Sequence, residues 1–320
     1  MGARLFSTAA IAAGLALTVS AADYPSRPIR VIVPFTAGSA SDMLARMIGP
    51  KLTEAWGQQV VIDNRPSAGG TVAGGIVASA APDGHTLMLT SSGFAGAAAL
   101  YEKLPYDPLK DFNGVTLLAV TPLVIVVSPS LGVKSVKELI ALAQQKPGQL
   151  NFGSSGIGSG THFGGELFKL SAKINVTHVP YRGTPEALTD TMSGRIQFFV
   201  SPVLPAMPLV RSGRILALGV TSSQRLPMLQ DVPTIAEAAI PGFEYEGWYG
   251  VFTPARTPRP IVNKLSKEIA RALAMPDVQD RIVREGAVPK PMTPEQFDKM
   301  VREEIVMRGK IFKAAGAKVE

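Results

Sequence analysis

The chain has 320 residues, of which 46 % are hydrophobic and 18 % charged, a composition typical of a globular protein. Its net charge of +7 comes from scattered Lys and Arg residues rather than from basic runs, which argues against a nucleic-acid partner. The chain contains no cysteine, which excludes disulfides and a cysteine-linked lipid anchor.

The first 22 residues have the layout of a secretory signal peptide. Arg4 precedes an apolar run, and the small residues Val19-Ser20-Ala21 predict cleavage near Ala21 or Ala22. No Arg-Arg pair precedes the run, which favours the general secretion pathway over the twin-arginine one. We therefore expect a periplasmic protein. Its roughly 300 mature residues favour two domains over one.

Apolar periodicity predicts alternating strands and helices along the mature chain. The predicted strands are residues 29–34, 60–63, 86–90, 115–127, 150–153, 176–179, 196–200, 215–221 and 245–252. The predicted helices are residues 40–56, 71–80, 136–145, 161–171, 185–192, 258–275 and 294–315. Gly49-Pro50 is expected to kink or break the first helix, and Pro122 to interrupt the long strand. This alternation predicts an α/β fold in which helices flank mostly parallel sheets.

The succession of strand, Gly/Ser loop and helix occurs twice, and this repeat predicts two similar lobes. The loops of both copies would lie at the carboxyl ends of strands, where α/β sheets bind ligands. Residues 120–127 and 244–252 are the candidate passages between the lobes and would form a hinge. The first lobe would then comprise residues 23–121 and 248–320, and the second lobe residues 122–247.

The first of these loops, residues 34–42, is a candidate anion site. It contains Phe35, Thr36, Ala37, Gly38 and Ser39 directly before a predicted helix. Free N–H groups and the positive end of a helix dipole suit a carboxylate. An ordinary helix cap is the alternative, and the loop by itself favours that alternative slightly.

The second loop, residues 153–162, is Gly, Ser or Thr at eight of its ten positions. Its candidate ligand contacts are Ser154, Gly158 and Ser159. Hydroxyls and bare amides bind an anion without adding a full charge, which helps a receptor to release its ligand. A merely flexible loop is the alternative.

Enzymatic patterns are absent from the sequence. Residues 153–157 lack the last Gly of a Gly-x-Ser-x-Gly elbow, and residues 156–161 lack the final Gly of a dinucleotide fingerprint. His85, His162 and His178 have no partner at metal-ligand spacing. We therefore expect no enzymatic activity, no catalytic residues, no cofactor and no metal.

Two further features leave alternatives open. Asp190 lies in the predicted helix 185–192, where it either faces solvent or makes a polar contact to the ligand or the hinge. An aromatic cluster favours core packing over a pocket lining; its members are Phe243, Tyr245, Trp248, Tyr249 and Phe252.

Several short motifs, in their order and spacing, make residues 24–320 resemble the receptors of tripartite tricarboxylate transporters, also called Bug proteins. In the first half these motifs are residues 34–38 with Asp42, Ala45-Arg46, Asn64-Arg65-Pro66, Ala68-Gly69-Gly70, residues 81–87, Tyr106-Asp107-Pro108 and Lys110-Asp111-Phe112. In the second half they are residues 151–156, Gly158-Ser159, His162, residues 178–183, Asp190 and residues 232–237.

The resemblance implies a two-lobed type II periplasmic binding protein fold with the ligand cleft between the lobes. It implies a small organic carboxylate as ligand and transfer to one large and one small integral-membrane subunit, and we expect a monomer. By the family pattern, ligand contact is expected at Phe35, Thr36, Gly38, Ser92, Ser154, Ser159 and Asp190. A secreted hydrolase that uses a loop serine, and a receptor that reports to a sensor kinase, are the alternatives.

Three positions depart from the family pattern. Ser39 stands where a second Gly is usual and is expected to face the ligand. Ser67 replaces another Gly, and Gly114 stands where Pro is usual; both are expected to lie in turns.

Overall fold

The computed structural model describes residues 24–284 and 286–317. The predicted signal peptide, residues 1–22, lies outside these ranges and stays a prediction. Within the described ranges, no helix combines the length and apolarity that a membrane span needs.

Ten strands of the described chain form one curled sheet, in the order β2-β1-β3-β9-β4-β7-β5-β6, with β8 and β10 also paired to β4. The strands are β1 (Ile29–Val33), β2 (Val60–Asn64), β3 (Thr86–Ser91), β4 (Phe112–Val127), β5 (Asn151–Ser154), β6 (Thr177–Pro180), β7 (Phe198–Pro202), β8 (Leu216–Val220), β9 (Glu246–Pro254) and β10 (Val288–Pro289).

The helices pack on both faces of this sheet. They are α1 (Ala40–Trp56), α2 (Thr71–Ala78), α3 (Gly93–Leu100), α4 (Val136–Gln145), α5 (Gly160–Ala172), α6 (Thr184–Met192), α7 (Val203–Arg211), α8 (Ile235–Ala238), α9 (Arg259–Leu273), α10 (Pro276–Arg284) and α11 (Pro294–Ala315). Local capping fixes several starts: at α11, for example, Thr293 and Gln296 form a reciprocal capping box.

Strand β4 belongs to two lobes. Its residues up to Pro122 pair with β9, and its residues from Leu123 pair with β7 and β8. We call the part with β1, β2, β3, β9 and β10 the first lobe, and the part with β5 to β8 the second lobe. The α/β class is thus confirmed. The sheet is mixed rather than mostly parallel, because β4 and β9 run antiparallel to their neighbours while β1–β3 and β5–β7 contain parallel pairs. The residue boundaries of the lobes stay a prediction.

Each lobe has apolar clusters on both faces of its sheet. Helix α11 contributes to both lobes, since Phe297 packs in a cluster of the first lobe and Phe312 in a cluster of the second. The C-terminal helix is therefore a structural link across the cleft.

The breaks expected at Pro50 and Pro122 do not occur, and the turn expected at Gly114 is wrong, while a kink in α1 stays a prediction. Helix α1 continues through Pro50, supported by the burial of Leu44, Ile48 and Leu52 along one side. Strand β4 continues through Pro122, at the point where it exchanges β9 for β7. Gly114 lies within β4 at a bulge rather than in a turn, and its N–H donates to Asp298 Oδ1 at 2.7 Å.

Ser67 does lie in a turn, where its Oγ accepts a hydrogen bond from Val72 N at 3.0 Å at the start of α2. Helices α3, α7, α8 and α10 were not predicted. Helix α3 consists almost entirely of small and apolar residues, so it shows no amphipathic period, and α7 contains Pro208 in its interior.

Candidate functional site

A cavity that is open to solvent lies between the two lobes, and the space in it and at its opening amounts to about 350 Å³. Both predicted loops reach it, the first through Phe35 and Ser39 and the second through Ser155. The lining residues are Phe35, Ser39, Ala40, Ser41, Ser91, Ser92, Leu123, Ser155, Gly160, Thr161, Thr184, Pro202, Gly247, Trp248 and Tyr249. None of these residues carries a charged side chain.

Five helices begin at this cavity. Ala40, Gly160 and Thr184 are the first residues of α1, α5 and α6, and Ser92 and Pro202 directly precede α3 and α7. The first N–H groups of a helix lack partners within the helix, and its dipole makes this end positive. Five such ends make the cavity favourable for an anion in the absence of any cationic side chain.

Two serine hydroxyls at the start of α1 are buried without a hydrogen-bond partner among the described residues. Ser39 is 2 % exposed and Ser41 is 1 % exposed, and the Oγ atoms of both lack partners. Ser39 has an extended backbone and precedes α1, yet its side chain makes no capping bond. Because a buried hydroxyl without a partner costs free energy, both are suited to donate to a ligand in the cavity.

Hydrogen bonds with neighbouring side chains hold the backbone of the first loop in place. Asp42 accepts from Gly38 N at 2.9 Å and from Arg46 Nε at 3.0 Å. Asn64 Nδ2 donates to Phe35 O at 3.0 Å. Burial alone would raise the pKa of Asp42, but the hydrogen bonds from Arg46, Gly38 and Asn64 lower it below its ordinary value. Asp42 is therefore a carboxylate that fixes this loop rather than a ligand contact.

The second loop is fixed by its own hydroxyl groups. Ser159 Oγ accepts from His162 N at 3.1 Å and so caps α5. Thr161 Oγ1 accepts from Ser155 N at 2.8 Å and contacts Ser159 Oγ at 2.9 Å. The dense Gly/Ser/Thr composition is thus used mostly to shape the loop, while Ser155, Gly160 and Thr161 reach the cavity.

Ser154 and His178 form a close pair, with 2.6 Å between Oγ and Nε2. Burial, followed by the charges of His162 and Lys169, lowers the pKa of His178 to about 2, so the imidazole is neutral. Ser154 itself is fully buried, does not line the cavity, and also bonds to the backbone of Gly156. This geometry is that of a structural pair and gives no substrate access to the hydroxyl.

A second chamber of about 230 Å³ adjoins the first and shares Phe35 and Ser155 with it. Gly70, which precedes α2, and Ser159, which caps α5, also line it. The cleft therefore extends to both sides of Phe35 and has helix N-termini in each part.

The structure brings four of the predicted site residues to the cleft. Phe35, Ser39 and Ser92 line the first cavity, and Phe35 and Ser159 line the second. The members of the predicted set that line neither chamber are Thr36, Ala37, Gly38, Ser154, Gly158 and Asp190.

These six residues have other surroundings. Ala37 and Gly38 are exposed, and Thr36 donates to Glu186 of the other lobe. Gly158 lies against Gly96, so that a side chain at either position would collide with the other lobe. Asp190 is neither freely exposed nor at the cleft, because it accepts from Tyr181 Oη and Arg195 Nη1.

Several residues that line the cavity were not predicted from the sequence. Ser41 was not among the candidate ligand contacts, and the aromatic cluster was expected to pack in the core. All five aromatic residues do pack in core clusters, and Trp248 and Tyr249 also line the cavity. No group of three potential metal-ligating side chains occurs within the described ranges.

Comparisons with known proteins agree with this architecture. A sequence profile described as "Tripartite tricarboxylate transporter family receptor" matches residues 44–317. The chain is 39 % identical over 303 residues to the UPF0065 protein in the tcbD-tcbE intergenic region of Pseudomonas sp. (strain P51). That alignment covers 92 % of this chain and 90 % of the relative.

Solved structures share the fold over nearly the whole chain. R. palustris Rpa4515 with adipate matches with a TM-score of 0.89 and 38 % identity, covering 92 % of this chain and 99 % of that one. The periplasmic binding protein BugD matches with a TM-score of 0.88 and 31 % identity, covering 93 % and 100 %. MatC (Rpa3494) from Rhodopseudomonas palustris with bound malate matches with a TM-score of 0.86 and 36 % identity, covering 90 % and 99 %.

Proposed function

The chain belongs to the tripartite tricarboxylate transporter receptor family, and on that basis we propose that it captures a small organic dicarboxylate in the periplasm for uptake. It acts as a binding protein rather than as an enzyme. Its partners are the integral-membrane transporter subunits, one large and one small, to which it delivers the ligand.

One observation carries the proposal: the buried hydroxyls of Ser39 and Ser41, which have no partner in the part of the chain that the structure describes, line a cavity where five helices begin. Each favourable helix end contributes about 0.3–1 kcal/mol to the binding of an anion. A hydrogen bond to a charged group contributes about 1.5–3 kcal/mol. The two hydroxyls and the N-terminal amides of α1 are thus suited to hold one carboxylate.

The two chambers on either side of Phe35 support a ligand with two polar ends. One carboxylate would occupy the chamber at Ser39 and Ser41, and the other would reach the chamber at Gly70 and Ser159. The similar proteins solved with adipate and with malate are consistent with this class of ligand. Because none of the described residues that line the two chambers has a charged side chain, hydrogen bonds and dipoles would hold the ligand, which permits its release to the transporter.

A thermal-shift screen of ligand-free mature protein tests the proposal. The panel contains linear dicarboxylates that include adipate and malate, together with monocarboxylates, the diamide of adipic acid, sugars and divalent cations. We expect at least one dicarboxylate to raise the Tm, and the diamide to have no effect. A Tm raised only by sugars or cations would contradict the proposal.

A pair of serine variants shows whether the shift originates at the proposed site. Ser41→Ala should abolish most of the Tm increase produced by the acid. Ser171→Ala, which removes an exposed hydroxyl from α5 of the second lobe, should leave it unchanged.

A further inference from the structure

Helix α11 contains a fully buried cation, Arg308, directly behind the cleft. Its guanidinium lies over the Phe163 ring at 4.3 Å from the centroid. It donates to Glu304 Oε1 from Nε at 2.8 Å and from Nη2 at 2.6 Å, and Nη2 also donates to Tyr245 Oη at 2.8 Å. Nη1 has no hydrogen-bond partner among the described residues.

A buried ion pair is a poor way to stabilise a core, because well-packed apolar residues often serve equally well. Burial would lower the pKa of Arg308, but Tyr245 and Glu304 raise it above its ordinary value. The guanidinium is therefore permanently charged, and a role beyond packing should be sought in what it contacts.

Arg308 fixes the direction of a hydrogen-bond chain that ends at the cleft. A guanidinium only donates, so the Tyr245 oxygen accepts from it. The single hydroxyl proton of Tyr245 is then available to Ser92 Oγ, which lies 3.4 Å away, a long contact. With its oxygen accepting from Tyr245, Ser92 has its own proton free to donate, and Ser92 lines the cleft.

Gly160 leaves the space that the hydrogen-bonded hydroxyls of Tyr245 and Ser92 occupy. A Cβ at Gly160 would lie 2.4 Å from Ser92 Oγ and 3.1 Å from Tyr245 Oη. Glycine is thus required where α5 begins beside the two hydroxyls.

Glu304 extends the network to a second lining residue. The Trp248 Nε1–H group donates to Glu304 Oε2, and the Trp248 ring lines the cleft. The ion pair on α11 is therefore connected to two groups that face the cavity, to Ser92 through Tyr245 and to Trp248 directly.

We propose that Arg308 is a positioning residue that orients the hydroxyls of Tyr245 and Ser92 so that Ser92 donates a hydrogen bond to an anionic ligand. The inference rests on the proposed function, since it assumes a carboxylate in the cleft. In this inference the charge of Arg308, on the C-terminal helix, acts on binding through two neutral hydroxyls and does not itself contact the ligand.

The test is a double-variant cycle, with dissociation constants measured by isothermal titration calorimetry. The probe is adipate, followed by the dicarboxylate that raises the Tm most. Tyr245→Phe and Ser92→Ala should each weaken binding roughly ten- to a hundredfold, which is the usual size of one lost hydrogen bond to a charged group. The double variant should bind no more weakly than Ser92→Ala alone, because both changes remove the same donor.

Control variants distinguish the loss of this hydrogen-bond chain from general damage to the core. Tyr106→Phe, in the aromatic cluster of the first lobe, should bind as the wild type does. Arg308→Lys, which keeps a charged donor, should retain more affinity than Arg308→Met. Losses that add up in the double variant, or full affinity in Tyr245→Phe, would overturn the inference while the wild type still binds. A wild-type protein that binds no acid would overturn the proposed function and this inference together.

Discussion

Thr36 Oγ1 donates a hydrogen bond to Glu186 Oε2 at 3.0 Å, and this contact joins the first lobe to the second. Thr36 belongs to the loop after β1, and Glu186 to the first turn of α6. Gly183 makes the approach possible, since a Cβ there would lie 2.1 Å from Thr36 Oγ1. Because this bond joins the two lobes next to Phe35, which lines the cleft, we expect it to act as a latch that holds the lobes together.

Replacement of Thr36 by Val should therefore weaken ligand binding without unfolding the protein. The loss of one partly exposed hydrogen bond corresponds to about 1 kcal/mol, or roughly fivefold in Kd. The change should appear mainly as faster dissociation, measured by stopped-flow fluorescence. Thr189→Val, at an exposed position of α6, is the matched control. Equal dissociation rates for wild type and Thr36→Val would show that the contact is no latch.

Gly96 and Gly158 form a second close approach of the lobes. A Cβ on Gly96 would lie 1.8 Å from Gly158 O, so Gly96→Ala is incompatible with the arrangement seen here. We expect Gly96→Ala to lower affinity at least tenfold while the ligand-free Tm stays close to that of the wild type, because the clash exists only when the lobes meet. In Gly309→Ala the added Cβ meets no atom closer than 4.0 Å, and this variant should bind normally. Unchanged affinity in Gly96→Ala would contradict the assignment of this contact to closure.

Ser39 stands where the family pattern has Gly, and its φ of −67° does not require glycine. Since its side chain caps nothing and lines the cavity, Ser39→Gly should change stability by only about a few tenths of a kcal/mol. It should instead change the order of preference among acids, because a hydroxyl donor is lost and space is gained. Calorimetric Kd values across the dicarboxylate panel measure this. An unaltered ranking, or a large loss of stability, would refute the prediction.

Gly49 lies inside α1 and lines a small apolar pocket in the first lobe. A Cβ there would meet Ile62 and Val60 at 3.8 Å, an ordinary van der Waals contact. Gly49→Ala should stabilise the protein by about 0.5–1 kcal/mol, since alanine favours the helix. Urea unfolding measures the change. Gly57→Ala is the contrasting control, because Gly57 has a φ of +65° at the end of the same helix and should destabilise when replaced.

The lowered pKa of Asp42 predicts how stability depends on pH. A carboxyl whose folded pKa lies below its unfolded value of 3.8 contributes stability above that value. This contribution is lost as the pH falls through the folded pKa. The difference in unfolding free energy between wild type and Asp42→Asn should thus be constant near pH 7 and shrink below about pH 4. A difference that is the same at pH 7 and pH 3 would exclude a stabilising charge at this position.

Much of the fold follows from local sequence. The β-branched run of β4 and the apolar spacing of α1 and α11 predict those elements nearly to their ends. Helix α3 could not be predicted in this way, because a run of Gly and Ala buried between the lobes carries no polar face.

The candidate site also contains both residues that could be predicted from local sequence and residues that could not. Ser39 and the loop around it were predictable, because a Gly/Ser turn before a helix has a local signal. Arg308 was not, since a charged residue on an amphipathic C-terminal helix normally faces solvent. Only the packing of α11 across both lobes shows that this position is buried.

The central claim is that the start of α1 holds a carboxylate through Ser39 and Ser41. Isothermal titration calorimetry of ligand-free wild type and of the double variant Ser39→Ala/Ser41→Ala with the same dicarboxylate tests it most directly. The wild type should bind, and the double variant should bind at least tenfold more weakly with an unchanged circular dichroism spectrum. Equal binding of the acid by both proteins would contradict the claim.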